Sequence, residues 1–162
     1  MAMGFKNVPD VLTAADVMTT KLVKLHPEQD VFHAVSLLVK HSISGAPVVD
    51  SDGRLLGMFT ERCCLEVLLD ATYESLPSSE VGSFMIEDPV AIQENMTLFS
   101  VAQMFISRPI RRLPVLRDGK LVGQVSRRDV IRHAEKLIKP VNDRGSATLY
   151  LSALANSTSP AV

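Results

Sequence analysis

Apolar residues recur along the chain in two kinds of pattern, and each pattern occurs twice. Over residues 31–39 and 98–106 they return every three or four positions, which predicts amphipathic helices. Asp30 and Thr97 stand just before these stretches and suit the N-cap position. Short apolar runs at 22–25 and 90–92 end in polar residues, so we predict a short strand before each helix.

Two apolar runs around an Asp-Gly pair follow each of these helices. The first set reads APVVD-SDG-RLLGMF and the second LPVLR-DG-KLVGQV. Asp-Gly between apolar runs predicts a β-hairpin, because glycine accepts the positive φ of the turn. Further helices are predicted over about 60–71 and 126–138, and short ones over 13–18 and 79–85.

These elements form an internal repeat. A shift of 67 residues places Met18 on Met85, and after one residue drops out of the turn a shift of 66 places Gly57 on Gly123. This period is too long for a solenoid unit. The pattern predicts two copies of a β-α-β-β-α unit, an α/β (α+β) fold. One copy buries too little surface to be stable alone, so we expect the copies to share a core.

The predicted domains follow the repeat: repeat 1 at 13–72, a linker at 73–78, repeat 2 at 79–139 and a C-terminal tail at 140–162. The chain is 46% hydrophobic and 22% charged, which is typical of globular proteins. Its apolar runs fall short of the roughly 20 residues that cross a membrane. No secretory signal is apparent, and the two cysteines are neighbours, so we predict reduced thiols and a cytoplasmic location.

Charge divides unevenly along the chain. Residues 1–78 carry 6 basic and 10 acidic side chains, whereas residues 79–140 carry 10 basic and 7 acidic ones. The second half is therefore the one suited to an anionic ligand.

Three motifs occur in the same order along the chain. They are DVMT at 16–19, GAPVVD at 45–50, and a Gly-x-x-Thr/Ser spacing at the end of each hairpin, followed three residues later by an acid in the second copy. With the repeat, they make residues 13–138 resemble a tandem pair of CBS domains, a Bateman module, of the stand-alone type.

The resemblance implies two repeats related by pseudo-two-fold symmetry and a regulatory function such as energy sensing. The ligand would be AMP, ADP or ATP, with S-adenosylmethionine ranked after them, in a cleft between the repeats. It also implies a disk-like homodimer that regulates another protein, which the sequence does not name. No covalent cofactor and no metal is expected.

Asp129 has two interpretations that can both hold. Ser126 precedes it by three residues, so the pair is close to a capping box that starts a helix. The resemblance adds a functional interpretation, in which Asp129 accepts both hydroxyls of a ribose and Ser126 faces phosphate. A carboxylate can accept two hydroxyls at once.

The resemblance also assigns the other ligand contacts. Thr20, Leu22 and Val23 would form the wall beside the base, although core packing is an alternative for Leu22 and Val23. The main chain of Ser44, Gly45, Ala46 and Pro47 would read the adenine edge. Arg111 and Arg112 would bind phosphate, with Arg128 as a further candidate. Arg127 and Arg132 are expected to be solvated.

The first repeat departs from this pattern, because Cys63 stands where Asp129 stands in the second. A thiol cannot hold two hydroxyls as a carboxylate does. We therefore predict one occupied site in each chain, or two sites of unequal affinity.

Two other classes of function compete with a nucleotide sensor. An enzyme is not expected, since the four histidines lack metal-ligand spacing and no Walker loop or G-x-S-x-G motif occurs. The arginines suit nucleic acid, but the net charge of −1 and the lack of tryptophan argue against it. A dimerisation scaffold without a nucleotide ligand remains the other alternative.

Overall fold

The computed structural model describes residues 12–73 and 79–137, with nothing said of the side chain of Leu137. Most of the predicted linker and the predicted tail lie outside these ranges. In chain order the elements are α1 (Ala14–Val17), α2 (Val31–His41), β1 (Gly45–Val49), β2 (Leu55–Thr60), α3 (Glu61–Thr72), a 3-10 turn (Val81–Ser83), β3 (Ile86–Glu87), β4 (Ile92–Gln93), α4 (Leu98–Ser107), β5 (Arg112–Arg117), β6 (Lys120–Ser126) and α5 (Arg127–Leu137). The strands form two sheets, ordered β1-β2-β3 and β4-β5-β6. The predicted mixed α+β class is confirmed.

The described chain divides into two compact units. We call residues 12–18, 92–115 and 124–137 the Asp129 unit, and residues 19–73, 79–91 and 116–123 the Cys63 unit. The segment that opens each predicted repeat thus belongs to the unit built mainly on the other repeat. The Asp129 unit carries 7 basic and 4 acidic side chains, and the Cys63 unit 7 basic and 11 acidic ones.

The Cys63 unit is built on the first hairpin. β1 pairs antiparallel with β2, from Gly45 opposite Thr60 to Val49 opposite Leu55. Gly53 in the turn has φ +81°, the left-handed conformation predicted from the Asp-Gly pair. The core of this unit consists of buried apolar side chains from the sheet and both helices, including Leu25, Val31, Leu38, Val48, Phe59, Val67 and Val81.

The third strand of this sheet requires a glycine beside it. β3 pairs antiparallel with β2, with Gly57 opposite Glu87. A Cβ added at Gly57 would lie 2.7 Å from the Ile86 carbonyl oxygen and 2.7 Å from the Met85 sulfur. A larger residue would therefore push β3 and its preceding residue away from the hairpin.

Three predicted elements differ from the structure. Residues 22–25 form no strand; only Leu25 bridges Val48, donating to Pro47 and accepting from Val49 at 2.9 Å each. The helix predicted over 79–85 is a 3-10 turn, because the chain enters β3 directly after it. The strand predicted at 90–92 starts instead at Ile92, since Asp88 is left-handed and Pro89 has no N–H for a ladder.

The Asp129 unit contains α1, β4, α4, α5, most of β5 and the last three residues of β6. α1 packs against α4 and α5, and the Ala14 N–H donates to the Met96 carbonyl at 2.8 Å. The buried side chains include Ala14, Val17, Ile92, Val101, Phe105, Leu113, Val115, Val125 and Val130.

Both predicted N-caps are confirmed. The Asp30 carboxylate accepts from the His33 N–H at 2.9 Å at the start of α2. The Thr97 hydroxyl oxygen accepts from the Ser100 N–H at 3.2 Å at the start of α4.

Candidate functional site

The Asp129 carboxylate lies at the junction of β6 and α5, where Ser126 holds it. The Ser126 N–H donates to Asp129 Oδ2 at 2.8 Å, and the Ser126 hydroxyl donates to the same oxygen at 2.6 Å. In return the Asp129 N–H donates to Ser126 Oγ at 3.2 Å. These bonds form a capping box, so the helix-start interpretation of Asp129 is confirmed.

The carboxylate keeps capacity for further bonds. A carboxylate offers about four acceptor positions, and Ser126 fills two of them on Oδ2. Oδ1 lies 3.8 Å from an Nη of Arg132, whose side chain is 58% exposed, while that of Asp129 is 14% exposed. Asp129 is thus a fixed, mostly buried anion with one oxygen available to hydroxyl donors. The single Ser126 hydroxyl proton is directed at Asp129, so this hydroxyl orients the carboxylate.

Several arginines share the unit with Asp129. Arg111 is exposed, Arg112 is half-buried at the start of β5, and Arg128 is exposed in the first turn of α5. Guanidinium groups pair well with phosphate oxygens. The structure therefore places the predicted phosphate-binding arginines and the predicted ribose-binding carboxylate in one compact unit.

Arg127 and Arg132 are exposed, as expected of solvated side chains, but each also makes a specific contact. Arg127 Nη2 donates to the carbonyl oxygens of Phe105 at 3.3 Å and Arg108 at 3.5 Å. These carbonyls lie at the end of α4, where unsatisfied acceptors attract a cation. Arg132 lies one helical turn after Asp129 and forms the ion pair with it.

The corresponding junction in the Cys63 unit has a different chemistry. The Thr60 hydroxyl lies 3.4 Å from Cys63 Sγ, and this thiol lies 4.0 Å from the Met58 carbonyl oxygen. Cys63 is 1% exposed and belongs to the core. Burial raises the pKa of the neighbouring Cys64 thiol, and Cys63 raises it further. No carboxylate occupies the position of Asp129 in this junction.

The predicted adenine-binding residues all lie in the Cys63 unit. Thr20 is exposed, Leu22 and Val23 are half-buried, and Val23 packs against the core, as its alternative interpretation expected. Ser44 is half-buried and precedes β1, which contains Gly45, Ala46 and Pro47 as buried residues. Their role toward a ligand stays a prediction.

The structure contains a second hydroxyl–aspartate pair of this kind, Thr13 and Asp16, which was not predicted. Thr13 donates from its N–H at 2.7 Å and from its hydroxyl at 2.9 Å to Asp16 Oδ2 at the start of α1. This is the arrangement of Ser126 and Asp129, with the same spacing of a hydroxyl residue and an aspartate. That spacing was the available signal, since both pairs read Thr/Ser-x-x-Asp.

Residues 12–73 and 79–137 offer neither a cluster of metal-binding side chains nor a helix that could span a membrane. Within these ranges no group of three or more His, Cys, Asp or Glu side chains is placed to hold a metal ion. No helix described there is both long and apolar enough to cross a membrane.

Sequence and structure comparisons give consistent results. The family model of the CBS domain matches residues 14–70 and again residues 81–136. The chloroplastic CBS domain-containing protein CBSX1 of Arabidopsis thaliana is 30% identical over 164 residues, covering 84% of this chain and 69% of the relative. The crystal structure of CBSX2 in complex with AMP superposes with a TM-score of 0.70 at 30% identity, covering 77% of this chain and 97% of that one.

Some relatives are much longer than the matched region. The chain spans 41% of the uncharacterized protein MJ1225 of Methanocaldococcus jannaschii. It spans 28% of the inosine-5'-monophosphate dehydrogenase of the same organism, at 27% identity over 148 residues. The dehydrogenase match concerns only the CBS part. The two family matches together cover more than half of the chain, which therefore belongs to the CBS domain family and carries two CBS domains in tandem.

Proposed function

We propose that this CBS-domain pair is a non-catalytic regulatory module that binds an adenosine-containing ligand, namely AMP, ADP or ATP. The observation that carries the proposal is the Asp129 carboxylate, which Ser126 fixes through two hydrogen bonds while its other oxygen stays available. The crystal structure of CBSX2 with AMP, a relative of the same fold at 30% identity, supports this class of ligand.

In this proposal Asp129 accepts the two hydroxyls of the ribose. Because Ser126 already fixes the carboxylate, the ligand does not have to order that side chain on binding. Hydrogen bonds to a charged acceptor are stronger than those between neutral groups. The main-chain N–H groups at the start of α5 add positive potential next to this anion-binding region.

The arginines are expected to favour phosphate-bearing ligands. Arg111 and Arg112 would contact the phosphate groups, and Arg128 would do so as the chain length of the phosphate increases. The predicted adenine contacts remain Thr20, Leu22 and Val23 with the main chain of 44–47. A ligand without phosphate would lose the arginine contacts and keep the Asp129 contact.

We further propose a homodimer that presents a ligand-dependent surface to a regulated protein. Large apolar side chains are exposed on helices of each unit: Leu65, Leu68 and Leu69 on α3, Ile106 on α4, and Ile131 on α5. Exposed apolar side chains grouped on one helix, as on α3, are typical of interaction sites. The cytoplasmic location stays a prediction, since one relative, CBSX1, is named chloroplastic.

The experiment that tests the proposal is a thermal-unfolding series with AMP, ADP, ATP and S-adenosylmethionine, together with mass spectrometry of small molecules that co-purify with the chain. A ligand that binds only the folded state at a hundred times its Kd raises the free energy of unfolding by about 2.7 kcal/mol. We expect a clear rise in Tm with at least one adenine nucleotide.

Two results would contradict this proposal and separate its alternatives. If no nucleotide raises Tm, while generic DNA or RNA binds in a salt-sensitive manner, the chain binds nucleic acid. If neither class of ligand has an effect and the chain is dimeric in sedimentation, it acts as a scaffold.

A further inference from the structure

The end of α4 lacks the usual main-chain closure. α4 ends at Ser107, and its C-cap Arg108 is extended, with φ −133° and ψ 143°. Pro109 follows. Proline has no N–H to donate to the last helical carbonyls, and its fixed φ excludes the left-handed conformation that closes many helices. The last carbonyls of α4 therefore need donors from elsewhere.

The matching helix of the first repeat closes itself. Ser42, which aligns with Pro109 at the shift of 67, is left-handed with φ 51° and ψ 44°. Its N–H donates to the carbonyls of Leu38 and Val39, and the Ile43 N–H donates to Leu38 at 3.1 Å. The main chain of the first repeat thus supplies what the second repeat lacks.

Side chains supply donors at this helix end in the second repeat: the Ser107 hydroxyl donates to the Met104 carbonyl at 3.3 Å, and Arg127 donates to carbonyls that follow it. Arg127 Nη2 lies 3.3 Å from the Phe105 carbonyl oxygen and 3.5 Å from that of Arg108. At the shift of 66, Arg127 aligns with Glu61, whose carboxylate cannot donate a hydrogen bond. The two repeats therefore differ at both positions together: Ser42 with Glu61 in the first, and Pro109 with Arg127 in the second.

The position of Arg127 connects two parts of the candidate site. It lies between Ser126 and Asp129 at the start of α5, and its side chain reaches the segment that leads from α4 to Arg111 and Arg112. We infer that Arg127 is a positioning residue that fixes the phosphate-binding arginines relative to the ribose-binding carboxylate. This inference rests on the proposed function and adds a determinant of selectivity for phosphorylated adenosines over adenosine itself.

The first test measures, without any ligand, whether the bonds from Arg127 to the Phe105 and Arg108 carbonyls hold this segment in place. We call these two bonds the tether. Hydrogen exchange of the amides in 105–112 is compared among the wild type, Arg127→Ala and Arg127→Gln. We expect exchange to rise about tenfold in Arg127→Ala and to stay near the wild type in Arg127→Gln, whose amide can still donate. In the double variant Arg127→Ala/Pro109→Ser, the new N–H at residue 109 should restore much of the protection.

The matched control is Arg62→Ala, because Arg62 is an exposed arginine in the first turn of α3 that pairs with Glu66 at 3.2 Å. Its removal should leave exchange in 105–112 unchanged. Wild-type exchange over this segment in Arg127→Ala would overturn the tether.

The second test measures calorimetric affinity for AMP and for adenosine. We expect Arg127→Ala to weaken AMP binding about tenfold and adenosine binding less than twofold, with Arg127→Gln close to the wild type. If Arg127→Gln loses as much AMP affinity as Arg127→Ala while its exchange stays protected, the arginine acts by its charge, and the positioning role is overturned. Failure of the wild type to bind either compound would overturn the proposed function and the site role of Arg127, while the exchange result would still decide the tether.

Discussion

The two hairpin-to-helix junctions hold matching positions in the two repeats but offer different groups. In one, the Ser126 hydroxyl donates to the Asp129 carboxylate at 2.6 Å; in the other, the Thr60 hydroxyl lies 3.4 Å from the Cys63 sulfur. Cys63 is enclosed in the core, whereas Asp129 keeps 14% of its side chain exposed. Since α3 forms without a carboxylate at this position, starting the helix does not require one.

Thr13 and Asp16 add a control for this comparison. They form the same pair of bonds at the start of α1, but α1 has only 4 residues and no place in the proposed site. A capping box alone therefore does not indicate a ligand site. Asp16 shares its unit with the same arginines, so the distinguishing feature of Asp129 is its place on α5 next to Arg128 and one turn before Arg132, whereas α1 contains no basic residue.

The largest effect on stability is expected when a carboxylate is introduced at Cys63, in the junction that lacks one. Cys63→Asp introduces a charge at a position that is 1% exposed and faces the core. We expect it to lower the free energy of unfolding by about 3 kcal/mol, because the buried carboxylate lacks enough donors. Urea denaturation of Cys63→Asp and Cys63→Ser measures this. A Cys63→Asp chain that is as stable as the wild type and binds a second nucleotide would mean that the junctions are interchangeable.

A smaller loss of stability is expected when the Ser126 hydroxyl or the Thr60 hydroxyl is removed. Ser126→Ala should cost about 1–2 kcal/mol, since it removes both a helix cap and a bond to a charged oxygen. Thr60→Ala should cost about half as much, because its partner is a thiol at 3.4 Å. Chemical denaturation of both variants checks the order. A greater loss from Thr60→Ala would contradict the stronger bonding assigned to the second junction.

The smallest effect concerns thiol reactivity in the first junction. Burial, and then Cys63, raise the pKa of the Cys64 thiol above the reference value of 9.0. We therefore expect folded Cys63→Ala protein to react with iodoacetamide at pH 8 more slowly than the same chain in urea, since the thiolate is the nucleophile.

The raised pKa of Cys64 makes the folded protein less stable as pH increases. The pKa of the Cys64 thiol is higher in the folded chain than in the unfolded chain. The stabilising contribution of this thiol is therefore complete below the unfolded-state pKa and disappears as pH rises through the folded-state pKa. The Cys64→Ala variant should lack this loss of stability at alkaline pH. Faster alkylation of the folded than of the unfolded chain would contradict the raised pKa.

The local parts of the fold were predictable from the sequence. Both hairpins follow from Asp-Gly between apolar runs, and the N-caps Asp30 and Thr97 are next to helical periodicity. The absence of a strand at 22–25 was not predictable, because only Leu25 finds a partner, 23 residues along the chain at Val48. The 3-10 turn at Val81 likewise depends on the pairing of β3 with β2.

The candidate site was predictable only in part. Ser126 and Asp129 are three residues apart, so their bonding follows from local spacing. Arg127 was expected to be solvated because a charge-rich helix face usually is, and its partner, the Phe105 carbonyl, lies 22 residues away along the chain. Its signal was indirect: Pro109 in the second repeat replaces the Ser42 N–H that closes α2 in the first.

The central claim is that the Asp129 junction binds the ligand and the Cys63 junction does not. Calorimetric titration of AMP into the wild type, Asp129→Ala, Cys63→Ala and the control Asp16→Ala tests it most directly. We predict one AMP per wild-type chain, an affinity about a hundredfold lower in Asp129→Ala, and values within about twofold of the wild type in the other two. Equal losses in Asp129→Ala and Cys63→Ala, or an unchanged affinity in Asp129→Ala, would contradict the account.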